Sequence, residues 1–375
     1  MPNPPTIAER AALAAIAEES RALILHWQDA GGAYPASPTF SVYRGFAWLR
    51  DGSFIADAMS AAGEADSATA FFDWVAGVLL ERSDRVAEIV NAAAGGTPVP
   101  DDRMLPTRFR LDGTDGDDEW WDFQLDGYGT WLWAAAAHAR RHGIALSRWS
   151  AAIGLTIDYL ASSWERPCYD WWEEHSEHVH VSTLGCIASG LRAVADSDAV
   201  SPVRAASAVD TASAALRLLH TRGAVDGHLV KWIGTDALDA SLSALLAPLS
   251  AVDPTSPLGL ATLTALDRQL VVGGGMHRFL ADTYYGGGQW PLLSCFLGLA
   301  WSAAGDPERA LELLRWSADT SAEGSIPEQV DRHLLNAGSM QMWVDRWGAS
   351  ADPLLWSSAM YLRLAVELGV VGGSA

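Results

Sequence analysis

The chain has 375 residues with 25 Lys+Arg against 46 Asp+Glu, a formal net charge of −21. A content of 49% hydrophobic and 19% charged residues fits a folded chain with a large core and excludes a disordered one. Such an acidic chain, with no basic stretch, repels a phosphate backbone and an anionic lipid face, so neither nucleic acid nor membrane is an expected partner.

Apolar residues at helical spacing predict helices over about 6–28, 51–63, 67–92, 124–143, 147–164, 181–196, 202–219, 238–247, 255–269, 290–304, 306–319 and 353–369, while alternating strand patterns are nearly absent. The N-terminal stretch lacks the cationic start and apolar run of a signal peptide, and no segment reaches the length of a membrane span. Three sparse cysteines, Cys168, Cys186 and Cys295, lack metal-ligand spacing and predict reduced thiols in a cytoplasmic protein.

The connections alternate between short and long. Five gaps of about 1 to 7 residues suit antiparallel helical hairpins, and six of about 16 to 33 residues exceed ordinary loops. Helices that alternate up and down bring all six long connections to one end, which predicts an all-α (α/α)6 barrel over residues 1–375 as one domain. Long connections in a compact domain carry function.

The first long connection ends in Tyr43, Trp48, Arg50 and Asp51 at a helix start. The Arg–Asp neighbours suit either an exposed ion pair or a bidentate grip on vicinal hydroxyls beside an indole face. The second holds the acids from Asp112 to Glu119, then Trp120, Trp121, Gln124 and Asp126. Its acids do not fit a calcium loop, and Gln124 and Asp126 are candidate polar sugar contacts. The third runs Trp171-Trp172-Glu173-Glu174 and then His175, His178 and His180. The histidines miss zinc-site patterns, whereas an acid beside two indoles suits a carboxyl kept protonated by apolar walls. The fourth offers only Lys231, the sole lysine of the chain, and Trp232. The fifth presents Arg278, Asp282 and Trp290 between two glycine triplets that match no phosphate-binding loop. The sixth holds Glu328 after a proline and returns through Trp343, Arg346 and Trp347.

Tryptophan is unusually abundant, at 18 against 8 Tyr and 9 Phe. Half of the tryptophans fall in these connections or, like Trp290, at the helix start after one. That bias suits a cleft of flat apolar faces and N–H donors, which a sugar ring fits.

Five of these segments, WLRDGSF, QLDGYG, WEEHSEHVHVS, RFLADTYYGGGQWP and SIPEQVD with the following PLLWSSAMYLRLA, resemble glycoside hydrolase family 15, the glucoamylase family. They occur in the family's order over about Tyr43 to Leu364. The resemblance implies an inverting exo-hydrolase that releases β-glucose from the non-reducing end of short α-glucosides, with no metal and no cofactor. It implies Glu173 as general acid and Glu328 as general base, with carboxyl groups roughly 6.5–9.5 Å apart. Trp48, Arg50 and Asp51 match the floor of the terminal-glucose pocket, and Trp120, Gln124, Trp172, Arg278 and Trp290 match its walls. Arg44 stands where glucoamylases place a water-holding tyrosine, and the adjacent Tyr43 is the candidate substitute. Glu174, next to the acid, is the alternative assignment. The N-terminal β-sandwich of bacterial members is not expected, which points to a short diffusible substrate. Isomaltose-type α-1,6 oligosaccharides come first, maltose-type α-1,4 second and trehalose third. A histidine-based sugar isomerase or epimerase using His175, His178, His180, His277 and His333, and a non-catalytic sugar-binding protein, are the rival readings.

Overall fold

Thr6 caps the first helix in a reciprocal capping box with Glu9, and α1 (Ile7–Trp27) follows. We describe residues 6–120 and 123–374 in a computed structural model; residues 1–5, Trp121, Asp122 and 375 lie outside the described residues. The further helices are α2 (Leu49–Ala61), α3 (Ala65–Leu80), α4 (Ser83–Ala94), α5 (Asp126–His142), α6 (Ser150–Ser163), α7 (Val181–Ala195) and α8 (Pro202–Arg222). After them come α9 (Leu242–Leu246), α10 (Pro257–Leu270), α11 (Pro291–Ala303), α12 (Pro307–Ala318), α13 (Met340–Trp347) and α14 (Leu355–Glu367).

The inner ring runs α2, α5, α7, α9, α11, α14 and back to α2, each helix packed on the next. Around it lie α1, α3 with α4, α6, α8, α10 and α12. The two rings differ in burial as their sequences require. α2 buries all 13 of its residues, whereas the 21-residue α8 buries only a stripe of five. Inner helices approach closely where glycines allow it: a Cβ at Gly190 would lie 2.1 Å from the Gly129 carbonyl oxygen, so α5 and α7 touch backbone to backbone. This is the (α/α)6 barrel expected from the connection lengths.

Three details differ from the expected elements. The helix predicted over 67–92 is two, because the chain turns at Arg82, whose guanidinium bonds back to the Val78 carbonyl at 2.8 Å, and α4 swings onto α6. The helix predicted over 238–247 shrinks to α9, since the Asp239 carboxylate accepts the Ser241 amide at 2.9 Å and competes with helical pairing. The sixth connection contains the unexpected α13.

Among the described residues the only β-ladders are three short antiparallel pairs: β1 (Phe46–Trp48) with β2 (Arg108–Arg110), β3 (Ala224–Val225) with β4 (His228–Leu229), and β5 (Val271–Val272) with β6 (Gly275–Met276). No β-sandwich occurs among them. No described helix is long and apolar enough to cross a membrane.

Candidate active site

All six long connections end where an inner helix begins, so the N-terminal ends of the inner helices meet at the loop-rich mouth. There five of the six connections line a cavity of about 870 Å³, counting its open entrance. Eight of the 18 tryptophans line it: Trp48, Trp120, Trp171, Trp172, Trp290, Trp343, Trp347 and Trp356. The tryptophan excess therefore serves the cleft as well as the core. Trp232 stands outside the lining, against His175 and His178.

Glu173 sits in a tight turn with a left-handed backbone, φ 56°, a conformation that costs a non-glycine residue about 1–3 kcal/mol. The Asp170 carboxylate holds that turn by accepting the amides of Trp172 and Glu174, each at 2.9 Å. One carboxylate oxygen of Glu173, Oε1, accepts from Trp48 Nε1 at 3.2 Å, Gln124 Nε2 at 3.2 Å and Arg50 Nη2 at 3.4 Å. Burial pushes its pKa up to about 7 against the pull of the Arg50 cation. Oε2 is thereby left to carry the proton.

Glu328 is fixed differently. Its amide donates to the Ala351 carbonyl at 2.8 Å, which ties the loop to the chain entering α14. Tyr43 donates its hydroxyl to Glu328 Oε1 at 2.9 Å, and the Tyr43 and Tyr284 hydroxyls lie 3.1 Å apart. Oε2 is buried without a protein partner. Burial again raises the carboxyl to about 7, with the Tyr43 hydrogen bond opposing the rise.

Arg50 organises the floor. Its Nη1 donates to Gln124 Oε1 at 2.9 Å and Asp126 Oδ2 at 3.0 Å, its Nε faces Asp51 at 3.4 Å, and its plane lies by the Trp171 and Trp356 rings. Asp51, on the cavity surface, is pushed up to about 6 by burial, and its Oδ2 has no hydrogen-bond partner. On the wall, Arg278 pairs with Asp282, reaches Glu174 at 3.3 Å and packs against the rings of Trp172, Tyr284 and Trp290. Trp120 is held by Arg108, which stacks between it and Phe46 and forks onto Asp118 at 2.6 and 2.7 Å. Two further acids of that loop are partnered by arginines: Asp115 pairs with Arg82 and Arg85, and Asp117 with Arg110. Among the described residues no cluster of His, Cys, Asp or Glu could hold a metal ion.

Tyr43, Trp48, Arg50, Asp51, Trp120, Trp172, Glu173, Arg278, Trp290 and Glu328 all line the cavity. Gln124 and Asp126, expected to touch sugar, do not: both are fully buried behind Arg50. Their polar atoms are taken up by Arg50, Thr107, Glu173 and backbone. They orient the residues that face the cavity. Trp171, Tyr284, Leu354, Trp356 and Ala36 line it without having been singled out as site residues. Tyr284 and Trp356 had a readable signal, since each is an aromatic at or beside a long connection; Ala36 had none. The five histidines of the rival reading are absent from the lining. His178 stacks on Trp232 at 4.3 Å, His180 faces the His175 carbonyl at 2.9 Å and His277 the Gly287 carbonyl at 3.0 Å, all as packing or backbone ties.

Comparisons with known proteins agree with this geometry. The profile of glycosyl hydrolases family 15 matches residues 10–366. The chain is 53% identical over 369 residues to an isomaltose glucohydrolase of Kribbella flavida, covering 98% of this chain and 96% of that protein. A solved glycosidase variant with a glutamate replaced by alanine, in complex with glucose, superposes with a TM-score of 0.95 at 52% identity, over 98% of this chain and 99% of the other. A bacterial glucoamylase complexed with acarbose shares the fold at 19% identity, with a TM-score of 0.72 over 95% of this chain and 55% of that one.

Proposed function

The chain belongs to glycosyl hydrolases family 15, and from that premise we propose an inverting exo-α-glucosidase of short α-1,6-linked oligosaccharides, isomaltose first among them. The observation that carries the reading is the pair of buried carboxyls on one tryptophan-lined cavity, each raised to about 7 and each held by a different set of donors. Glu173 is read as the general acid. Its bonded Oε1 is fixed by Trp48, Gln124 and Arg50, so the proton on Oε2 points where a glycosidic oxygen would sit. Glu328 is read as the general base. The Tyr43 hydroxyl favours its ionised form, and its unpartnered Oε2 is the acceptor for a water proton. Protonation of the leaving oxygen and attack by water on the other face of the ring invert the anomeric carbon, and an inverting pair leaves roughly 6.5–9.5 Å for that water.

Asp51 and Arg50 would grip the hydroxyls of the terminal glucose, and Trp172, Trp290 and Trp120 would flank its faces. The α-1,6 preference rests on the Kribbella flavida relative. Three buried free thiols accord with a cytoplasmic enzyme, a single catalytic barrel supplied with imported short substrates.

NMR of the first product formed from isomaltose tests the mechanism: β-glucose appears before mutarotation, and α-glucose appearing first would overturn the inverting assignment. Hydrolysis rates on isomaltose, maltose and trehalose test the linkage, and a clear preference for trehalose would refute the α-1,6 reading.

A further inference from the structure

The sole lysine of the chain is buried, 3% exposed, beneath the turn that carries Glu173. Its ammonium lies 3.0 Å from Asp170 Oδ2, pairs with Asp239 and sits 3.8 Å above the Phe279 ring. Two carboxylates and one π face thus surround the ammonium.

Each carboxylate holds a different part of the site. Asp170 accepts the two amides of the acid-bearing turn, and its carbonyl receives Gln124 Nε2 at 2.6 Å, the same side-chain nitrogen that donates to Glu173. Asp239 accepts Trp172 Nε1 at 3.0 Å and so orients the indole that walls the cavity. The backbone of Lys231 is itself pinned, its carbonyl accepting the Val181 amide at the start of α7 and its amide donating to Ala237. Every other cation of this chain except the histidines is arginine. An ammonium is a compact point charge that can sit between two carboxylates, whereas a guanidinium is a planar fork.

We propose that Lys231 is a positioning residue for acid catalysis: through Asp170 it holds the Glu173 turn in its left-handed conformation, and through Asp239 it fixes the Trp172 wall to the same charge. The inference rests on Glu173 being the general acid. Removing the ammonium leaves two buried carboxylates facing one another, and the turn loses its charge-assisted hold.

The test compares two substrates. Isomaltose needs its leaving oxygen protonated, while α-glucosyl fluoride loses fluoride without that proton. In Lys231→Met, kcat on isomaltose is expected to fall by about 10²-fold and kcat on the fluoride by less than about fivefold. An equal loss on both substrates, the mark of a merely structural role, or no loss on either, overturns the proposal. Glu173→Gln is run alongside. If it loses the fluoride as fully as isomaltose, the acid assignment fails and the inference falls with it. If it splits the two substrates and Lys231→Met does not, the inference alone is refuted. Should Lys231→Met fail to fold, Asp170→Asn replaces it, because that variant keeps the oxygen that receives the turn amides. It is expected to show the same split in smaller measure, and an equal loss on both substrates again overturns the proposal.

Discussion

Glu173 lies on a turn held from behind by buried ions, Asp170 with Lys231 and Arg50 with Asp126, whereas Glu328 lies on a loop held by its own backbone and by tyrosine hydroxyls. Burial raises both to about 7, so proton affinity alone does not tell acid from base. The partners do. Glu173, the proposed acid, has one oxygen taken up by N–H donors on a hydrogen-bonded turn, as a positioned proton donor requires. Glu328, the proposed base, has one oxygen on a hydroxyl and the other without a protein partner, as an acceptor of a water proton requires. Buried ion networks and hydroxyl pairs are thus two ways of placing a carboxyl, and each fails differently when it is cut.

The contrast can be broken most strongly at the carboxyls. Glu173→Gln and Glu328→Gln are each expected to lower kcat on isomaltose by at least about 10²-fold. Azide can stand in for an activated water, so it is expected to rescue only Glu328→Gln. Activity retained in Glu173→Gln and lost in Glu174→Gln would move the acid by one residue, to the group that pairs with Arg278.

Tyr43→Phe sharpens the base side. It removes one hydrogen bond to a carboxylate, and kcat is expected to fall about tenfold. The pH profile carries the sign. On the proposed assignment activity requires Glu328 ionised and Glu173 protonated, so it is lost as pH falls through the Glu328 pKa and again as pH rises through that of Glu173. With both about 7, the wild type should show a narrow bell near neutrality, whose limbs report the pair as a whole. The Tyr43 hydroxyl lowers the Glu328 pKa, so in Tyr43→Phe the acidic limb moves to higher pH while the basic limb stays.

Smaller still is the effect expected at Trp347, which stacks on Trp120 at 6.1 Å on the rim. Trp347→Ala should raise KM about fivefold with kcat nearly unchanged, as loss of an aromatic contact away from the reacting bond predicts. A chelator should have no effect on activity, because the proposed mechanism gives the proton transfers to the two carboxyls; inhibition by EDTA that zinc reverses would contradict this chemistry.

Much of this was legible in the chain. Six long connections between short hairpins implied the barrel, because helices joined by a few residues must run antiparallel. The motifs around Trp48, Glu173, Arg278 and Glu328 fell on those connections and pointed to the cavity-lining set. Legibility failed where partners lie far apart in sequence. Gln124 and Asp126 read as sugar contacts, since polar residues beside indoles look alike whether they face a cavity or an arginine behind it. Only packing against Arg50 decided between the two. Tyr284 stood in a quoted motif, yet its meeting with Tyr43, 241 positions away, has no sequence signature. The fourth connection offered little beyond Lys231, yet that lysine sits in a buried ion centre whose partner Asp170 lies on another connection.

The sequence by itself determined the class of the molecule: its acidic exterior, its helical periodicity, its alternating connections and its surplus of indoles are properties of composition and local spacing. Which carboxyls are buried, which donors saturate them and which arginines hold the walls were decided only by the tertiary structure. A pKa of about 7 at Glu173 or Glu328 comes from the water excluded and the charges assembled around it, and those come from five separate stretches of chain converging on one cavity.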